Sequence, residues 1–304
     1  MPAELVFVHG IGGPRDAAAE CRRWTDALAD GARRAGHSAF AERLPQLPVR
    51  FAAYRDLFDP AGKDAPDVDL SPAATAILTG LLREVIDSHP LGASDDSTQW
   101  TLDEAREKLA GSARDRLVDA AATLMSIKSL RRSGQWPSGR LMLRDLAQVA
   151  RYLARDEAGE PGTAGTPLDQ RVRARVQDAI GAGATVVVAH SLGTVVALEA
   201  LHEYAAEVSL FVTLGSPIGM RTVVWPRIVP QPPATPAGVR RWLNFWDRDD
   251  IIVARRDLEV RPNAGGVVPV GSRVDTDGVW LHTATKYLAQ PGVAGPIAEA
   301  LHGS

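Results

Sequence analysis

Ala184-Thr185-Val186-Val187-Val188 is a nearly continuous apolar run that leads directly into Ala189-His190-Ser191-Leu192-Gly193. A short run without polar alternation belongs to a strand buried on both faces, the condition of a strand inside a parallel sheet covered by helices. A helix is predicted from about Leu192. The same alternation recurs along the chain. Strands are predicted at Glu4–Val8, at about Pro48–Tyr54, at Val208–Leu214 and at Val239–Trp246. Helices are predicted at about Arg15–Ala35, with Trp24 and Leu28 on one face, and from Thr166-Pro167-Leu168-Asp169 through Ile180. Short strands and two short helices complete the C-terminal end. Strands alternating with helices predict an α/β fold with an open, mainly parallel sheet and flanking crossover helices.

Between the second strand and the buried run the pattern changes. Ser71-Pro72 is a helix start, with a cap residue and then proline at the first helical position. Ile77, Leu81, Leu82, Val85 and Ile86 form its apolar stripe. Thr101-Leu102-Asp103-Glu104 has the form of a capping box, and Leu102, Ala105, Leu109, Leu117, Ala121 and Leu124 continue behind it at helical spacing. Leu141–Arg155 is a third predicted helix. Residues 61–167 therefore read as a helical cap or lid inserted into a core made of 1–60 and 168–304. Trp100, Trp136, Met125 and Met142 either line an apolar cleft under that cap or form its own core.

The rest of the composition narrows the function classes. The net charge is −3, which argues against a nucleic-acid partner, since that needs a basic face. Cys21 is the single cysteine, so an internal disulfide and a thiolate metal cluster are both excluded. The N-terminal residues lack the basic start and long apolar stretch of a signal peptide. No apolar run reaches the roughly 18 residues of a membrane span. The expectation is a cytoplasmic protein with no integral membrane segment, its oligomeric state left open by the sequence.

Ala189-His190-Ser191-Leu192-Gly193, between a buried strand and a helix, is the setting of a nucleophile elbow. A turn that tight needs small residues two before and two after the nucleophile, here Ala189 and Gly193. It presents the Ser191 hydroxyl at the end of the sheet and aims the Leu192 N–H and the helix N-terminus at the same point. The alternative is an ordinary strand-to-helix turn with a serine cap. A second oxyanion donor normally comes from the loop after an earlier strand. His9-Gly10-Ile11-Gly12-Gly13 puts Ile11 in that place, unless the turn is purely structural. Dinucleotide binding fails on spacing, because Arg15 stands where the third glycine belongs.

A serine nucleophile needs a base and the base an orienting acid, in chain order Ser, Asp or Glu, His for this arrangement. His202 lies about three helical turns from Ser191, and His302 is near the C-terminal end. His282, just before a predicted helix, is the candidate base. His190 and His9 read as packing or loop-ordering residues. The acid should follow the strand ending at Trp246. Asp250 ranks first because Ile251-Ile252-Val253 would bury its flank, Asp247 second and Asp249 third. The same carboxylates could instead bind a divalent cation, although no further ligands are evident.

Taken together these stretches resemble the α/β-hydrolase superfamily over Glu4–Tyr54 and Leu168–His302. Within it they are similar to lipase/esterase-like members that include the GPI inositol-deacylase-like proteins. The likeness rests on His9-Gly10-Ile11-Gly12, His190-Ser191-Leu192-Gly193 and Leu214-Gly215-Ser216-Pro217. It extends to Trp242-Leu243-Asn244-Phe245-Trp246-Asp247-Arg248-Asp249-Asp250, and to His282 with Tyr287 five residues on. The resemblance implies an α/β-hydrolase fold with Ser191 as nucleophile, His282 as general acid/base, Ile11 and Leu192 as oxyanion donors, and no cofactor or metal. Its second aspartate is the triad acid, which favours Asp250. Ile251-Ile252 stands where Pro-Val is usual, which leaves Asp247 open. The implied activity is a serine hydrolase cleaving a small-molecule or lipid-like ester through an acyl-enzyme. A peptidase, cyclase or acyltransferase would use the same triad, and a non-catalytic binding protein could share the scaffold.

Overall fold

The computed structural model describes residues 4–10, 16–58, 70–88, 96–109, 114–126, 138–156, 165–181, 185–250, 252–253, 257–276 and 282–302. Strands β1 (Glu4–Val8), β2 (Val49–Ala52), β3 (Thr185–His190), β4 (Val208–Leu214), β5 (Trp242–Trp246) and β6 (Pro269–Arg273) form one sheet in the order β2-β1-β3-β4-β5-β6. Every neighbouring pair is parallel. The fold is thus mixed α/β with an all-parallel sheet flanked by helices. The chain moves outward from β1 to β2, then returns across β1 to lay down β3. The order reverses between β1 and β3, and at such a switch point the loops leaving the two strands part and open a crevice.

The inner strands alternate between two apolar layers. Leu5, Phe7, Val186, Val188, Val212 and Phe245 face helices α1 (Ala17–Arg34), α9 (Ala284–Leu288) and α10 (Pro291–His302). Val6, Val8, Val187, Ala189 and Phe211 face α7 (Leu168–Ile180) and α8 (Leu192–Glu203). Residues Val186 to Val188 are wholly buried, as the continuous apolar run requires. Trp24 and Leu28 are the buried face of α1, and the Asp16 side chain caps its start by accepting from the Ala19 N–H.

The elements described in the intervening segment are all helices: α3 (Pro72–Ser88), α4 (Asp96–Lys108), α5 (Arg114–Ser126) and α6 (Gly139–Ala154). Ser71 caps α3 by accepting from the Ala74 N–H, as its Ser-Pro start predicts. The capping-box reading of Thr101–Glu104 is corrected, because α4 begins at Asp96 and those residues lie inside it. The apolar spacing from Leu102 to Leu124 spans two helices rather than one, and the sequence carries Gly111 between them. Met125 and Met142 are buried in the layer that also holds Val6 and Val187. Trp100 is 79% exposed and takes no part in the buried core; Trp136 lies outside the described residues. The helices of this segment therefore share one continuous apolar core with a face of the sheet.

A buried polar cluster fastens the two parts. Glu199, on α8, is 1% exposed. Its Oε1 accepts from Arg155 Nη2 at 2.5 Å and from the Val229 N–H at 3.0 Å. Its Oε2 accepts from the Tyr152 hydroxyl at 2.5 Å and from Arg173 Nη1 at 3.4 Å. Asp169 accepts from both arginines, at 3.0 and 2.8 Å. Two cations and two carboxylates thus neutralise one another where α6, α7 and α8 meet. Arg155 caps the end of α6 at φ 56°, a left-handed conformation that costs a non-glycine residue about 1 kcal/mol or more unless its surroundings hold it.

Candidate active site

All the polar groups singled out in the sequence follow the C-terminal ends of strands. Gly10 follows β1, Ser191 follows β3, Asp247 and Asp250 follow β5, and His282 comes after β6. Ser191 sits between β3 and α8 with φ 55° and ψ −131°, a sparsely populated region for a residue with a Cβ. Its N–H donates to Leu214 O at 3.1 Å, and its carbonyl accepts from the Thr194 N–H and hydroxyl. These bonds hold the strained turn, and such strain is characteristic of functional positions. No side chain caps the start of α8, so the positive charge of that helix end falls beside Ser191.

The loop after β1 presses against this turn, backbone to backbone. A Cβ at Gly193 would stand 2.3 Å from His9 O, and one at Gly10 would stand 2.5 Å from Ser191 Cβ. Both distances are shorter than any real contact, so glycine at these places is a condition of the approach.

The structure brings Ser191, His282 and Asp250 together. His282 Nε2 lies 2.8 Å from Ser191 Oγ, and His282 Nδ1 lies 2.8 Å from Asp250 Oδ2. An ionised carboxylate only accepts, so Nδ1 carries the proton and Nε2 is left to accept from the serine. All three residues are buried, with His282 at 0% exposure. The second oxygen of Asp250, Oδ1, accepts from the Ile252 N–H at 3.0 Å, so the residues after Asp250 do fix its carboxylate.

Asp247 is turned elsewhere. Its Oδ2 accepts from the N–H and hydroxyl of Thr276 at 2.6 and 2.8 Å, and its Oδ1 accepts from the Asp249 N–H at 2.9 Å. It anchors the loop after β5 to the segment after β6. Asp249 is exposed. The carboxylates of Asp247 and Asp250 are thus taken up by different donors, and no group of three or more His, Cys, Asp and Glu side chains among the described residues is placed to hold a metal. Leu192 is the first residue of α8 and fully buried. Ile11 lies outside the described residues. Ser216 shares a hydrogen bond with Thr194 at 2.8 Å and caps the turn at Ile218. That bond ties the loop after β4 to the first turn of α8.

The remaining histidines are set apart by their surroundings. His9 Nδ1 donates to Gly10 O at 2.6 Å, and Nε2 accepts from the Tyr54 N–H at 3.2 Å. Its ring stacks on Tyr54, whose hydroxyl donates to His9 O. Burial dominates and pushes His9 down to about 4 from an ordinary 6.5. His190 is held well below the ordinary histidine range by burial, reinforced by neighbouring His282 and His9. Its ring packs 4.6 Å from that of His282. His202 Nε2 donates to Ala234 O, remote from Ser191. His282 alone among these rings pairs with a carboxylate.

The burial of His9 has a thermodynamic consequence. The unfolded chain binds a proton at this site below about pH 6.5 and the folded chain only below about 4. Stability is therefore complete at neutral pH and is lost as pH falls through that window. The expected loss by pH 4 is about 3 kcal/mol from His9, and His190 adds in the same direction. Urea midpoints measured from pH 7 to 4 should fall, and the fall should be shallower in His9→Asn. Equal slopes in the two proteins would remove His9 from the acid transition.

Sequence reasoning passed over Tyr54, Thr276 and Thr194, whose roles depend on partners 45, 29 and 22 positions away. No local pattern could have marked them. Neither known protein families nor curated proteins provide a match to this chain. No helix among the described residues is long and apolar enough to cross a membrane.

Proposed function

We propose that this protein is a serine hydrolase of the α/β-hydrolase fold that cleaves an ester through an acyl-enzyme. The observation that carries the reading is the unbroken hydrogen-bonded line from Asp250 through His282 to Ser191, ending on a serine whose backbone is held at φ 55°. On this reading Ser191 Oγ attacks the ester carbonyl as its proton passes to His282 Nε2. Asp250 stabilises the imidazolium and holds the ring in the productive tautomer. The oxyanion of the tetrahedral intermediate accepts from the N–H groups of Leu192 and Ile11, and loss of one such donor typically costs about 10²–10³ in rate. Collapse expels the alcohol, which takes its proton from His282. Water then enters by the reverse path, releases the acid and restores the serine.

The helical segment 61–167 is assigned as the cap over this site. The support is that α3 seats against the loop after β4. Thr222 donates to Glu84 at 2.6 Å, and Gly80 leaves room for Val223. Burial of Ser191 to 3% exposure fits a site that admits substrate by movement of covering segments.

A fluorophosphonate probe tests the proposal. It should label the intact protein at Ser191, and labelling should vanish in Ser191→Ala. An unlabelled wild-type protein removes the nucleophile, and with it the hydrolase reading. A p-nitrophenyl ester series run beside peptide and thioester panels then assigns the acyl donor.

A further inference from the structure

Tyr287 stands out because its hydroxyl reaches the same oxygen that serves His282. It donates to Asp250 Oδ2 at 2.7 Å and accepts from the Asp247 N–H at 3.1 Å, and the residue is 0% exposed. The line described above is thus longer than three residues. It runs from the Asp247 amide to the Tyr287 hydroxyl, to Asp250, to His282, to Ser191. We propose that Tyr287 is a positioning residue for the serine-hydrolase reaction, one that fixes Asp250 Oδ2 and limits how strongly that oxygen holds the His282 imidazolium.

Tyr287 and His282 share the acceptor capacity of one carboxylate oxygen. Asp250 Oδ1 is engaged by the Ile252 N–H, so Oδ2 alone faces the histidine. A second donor on Oδ2 disperses its charge and weakens the pull on the Nδ1 proton. The Asp247 amide polarises the phenol and makes it a better donor, as links in a hydrogen-bonded chain do. Burial and the Asp250 charge hold the Tyr287 hydroxyl well above the ordinary tyrosine range, so it remains a donor at every working pH. His190, the last residue of β3, also lies against the Tyr287 ring, at 6.3 Å, and is held neutral by burial. Asp247 is satisfied by Thr276. Tyr287 is therefore the group that modulates the Asp250–His282 pair from the side opposite the serine. Its place in α9, five residues beyond His282, couples it to the base through a single short element.

The inference rests on the hydrolase reading, and the experiment separates the two. The full chain is compared as wild type, as Tyr287→Phe, and with 3-fluorotyrosine placed at position 287, using p-nitrophenyl butyrate from pH 5 to 9. In Tyr287→Phe the imidazolium is better stabilised, so the acid limb of kcat/KM moves up by about half a pH unit or more. With Oδ2 less firmly held, kcat falls about 3–10-fold while KM is unchanged. The more acidic fluorophenol is the stronger donor and moves the limb the opposite way. An acid limb fixed in both variants, with only stability lowered, marks Tyr287 as a core residue and overturns the proposal. Should Tyr287→Phe fail to fold, the nearly isosteric fluorotyrosine protein decides alone. Should the wild type neither turn over ester nor take the fluorophosphonate label, the hydrolase reading falls. The proton NMR signal of His282 Nδ1–H then decides the coupling: opposite displacements in the two variants sustain it, and an unmoved signal overturns it.

Discussion

Ser191→Ala is expected to lower kcat for an activated ester by about 10⁶-fold, with His282→Ala nearly as damaging and the double variant no worse than either. Non-additivity is the signature to look for, because a serine without its base and a base without its serine are equally idle. What remains should exceed the uncatalysed rate, since binding and the helix-end N–H groups survive both substitutions. Asp250→Asn keeps the shape but replaces an acceptor-only group by one that can also donate. The histidine can then settle in the wrong tautomer, and the loss should be about 10⁴-fold. Asp247→Asn is the discriminating control. Its carboxylate holds Thr276 rather than His282, so stability should fall while kcat stays within about tenfold of the wild type. If Asp247→Asn carried the large kinetic loss instead, the acid would be assigned to the wrong residue. Steady-state kinetics and urea midpoints on the wild type and these five variants settle the matter.

The largest expected effect on stability lies away from the serine. Glu199→Ala should cost about 3–5 kcal/mol, because it leaves Arg155 with Asp169 alone and Arg173 with Asp169 and the exposed Glu203, and strips partners from Tyr152 and the Val229 N–H. Glu199→Gln retains the shape and should lose less. The pair Glu207–Arg240 serves as the reference. Its side chains are well exposed, and Glu207→Ala should leave the urea midpoint in place. Equal midpoints for Glu199→Ala and Glu207→Ala would mean that the cluster contributes no more than a surface pair. Arg155 gives a second view of the same point. Its left-handed backbone depends on the cluster, so Arg155→Gly should lose the ion pairs but recover the conformational cost, and fall short of Glu199→Ala in damage.

Much of this arrangement was legible in the chain. The uninterrupted burial of Val186 to Val188 announced a parallel sheet, because only a strand covered on both faces can omit polar residues. Ala189 and Gly193 announced a tight turn, and a side chain at Gly193 would collide with His9 O in the loop after β1. Asp250 ranked above Asp247 on the apolar residues that follow it, and the Ile252 amide is what holds its carboxylate. Other features were out of reach. Capping chemistry at Thr101–Glu104 was misleading, since the same residue types serve as ordinary surface positions once a helix has started upstream. The Glu199 cluster draws on residues 152, 155, 169, 173 and 229, and each one alone reads as an unremarkable charge or loop. The shared core of the helical segment and the sheet was equally invisible, because periodicity tells which face of a helix is apolar and not what that face meets.

The dispersal of the site over several strand ends also has a timetable. Ser191 and His282 stand 91 positions apart, and at synthesis rates of about 5–20 residues per second the serine precedes its base by roughly 5–20 s. Throughout that interval the growing chain carries a serine with no base beside it. On the hydrolase reading, the nascent polypeptide stays chemically mute until β6 and the segment that carries His282 have docked.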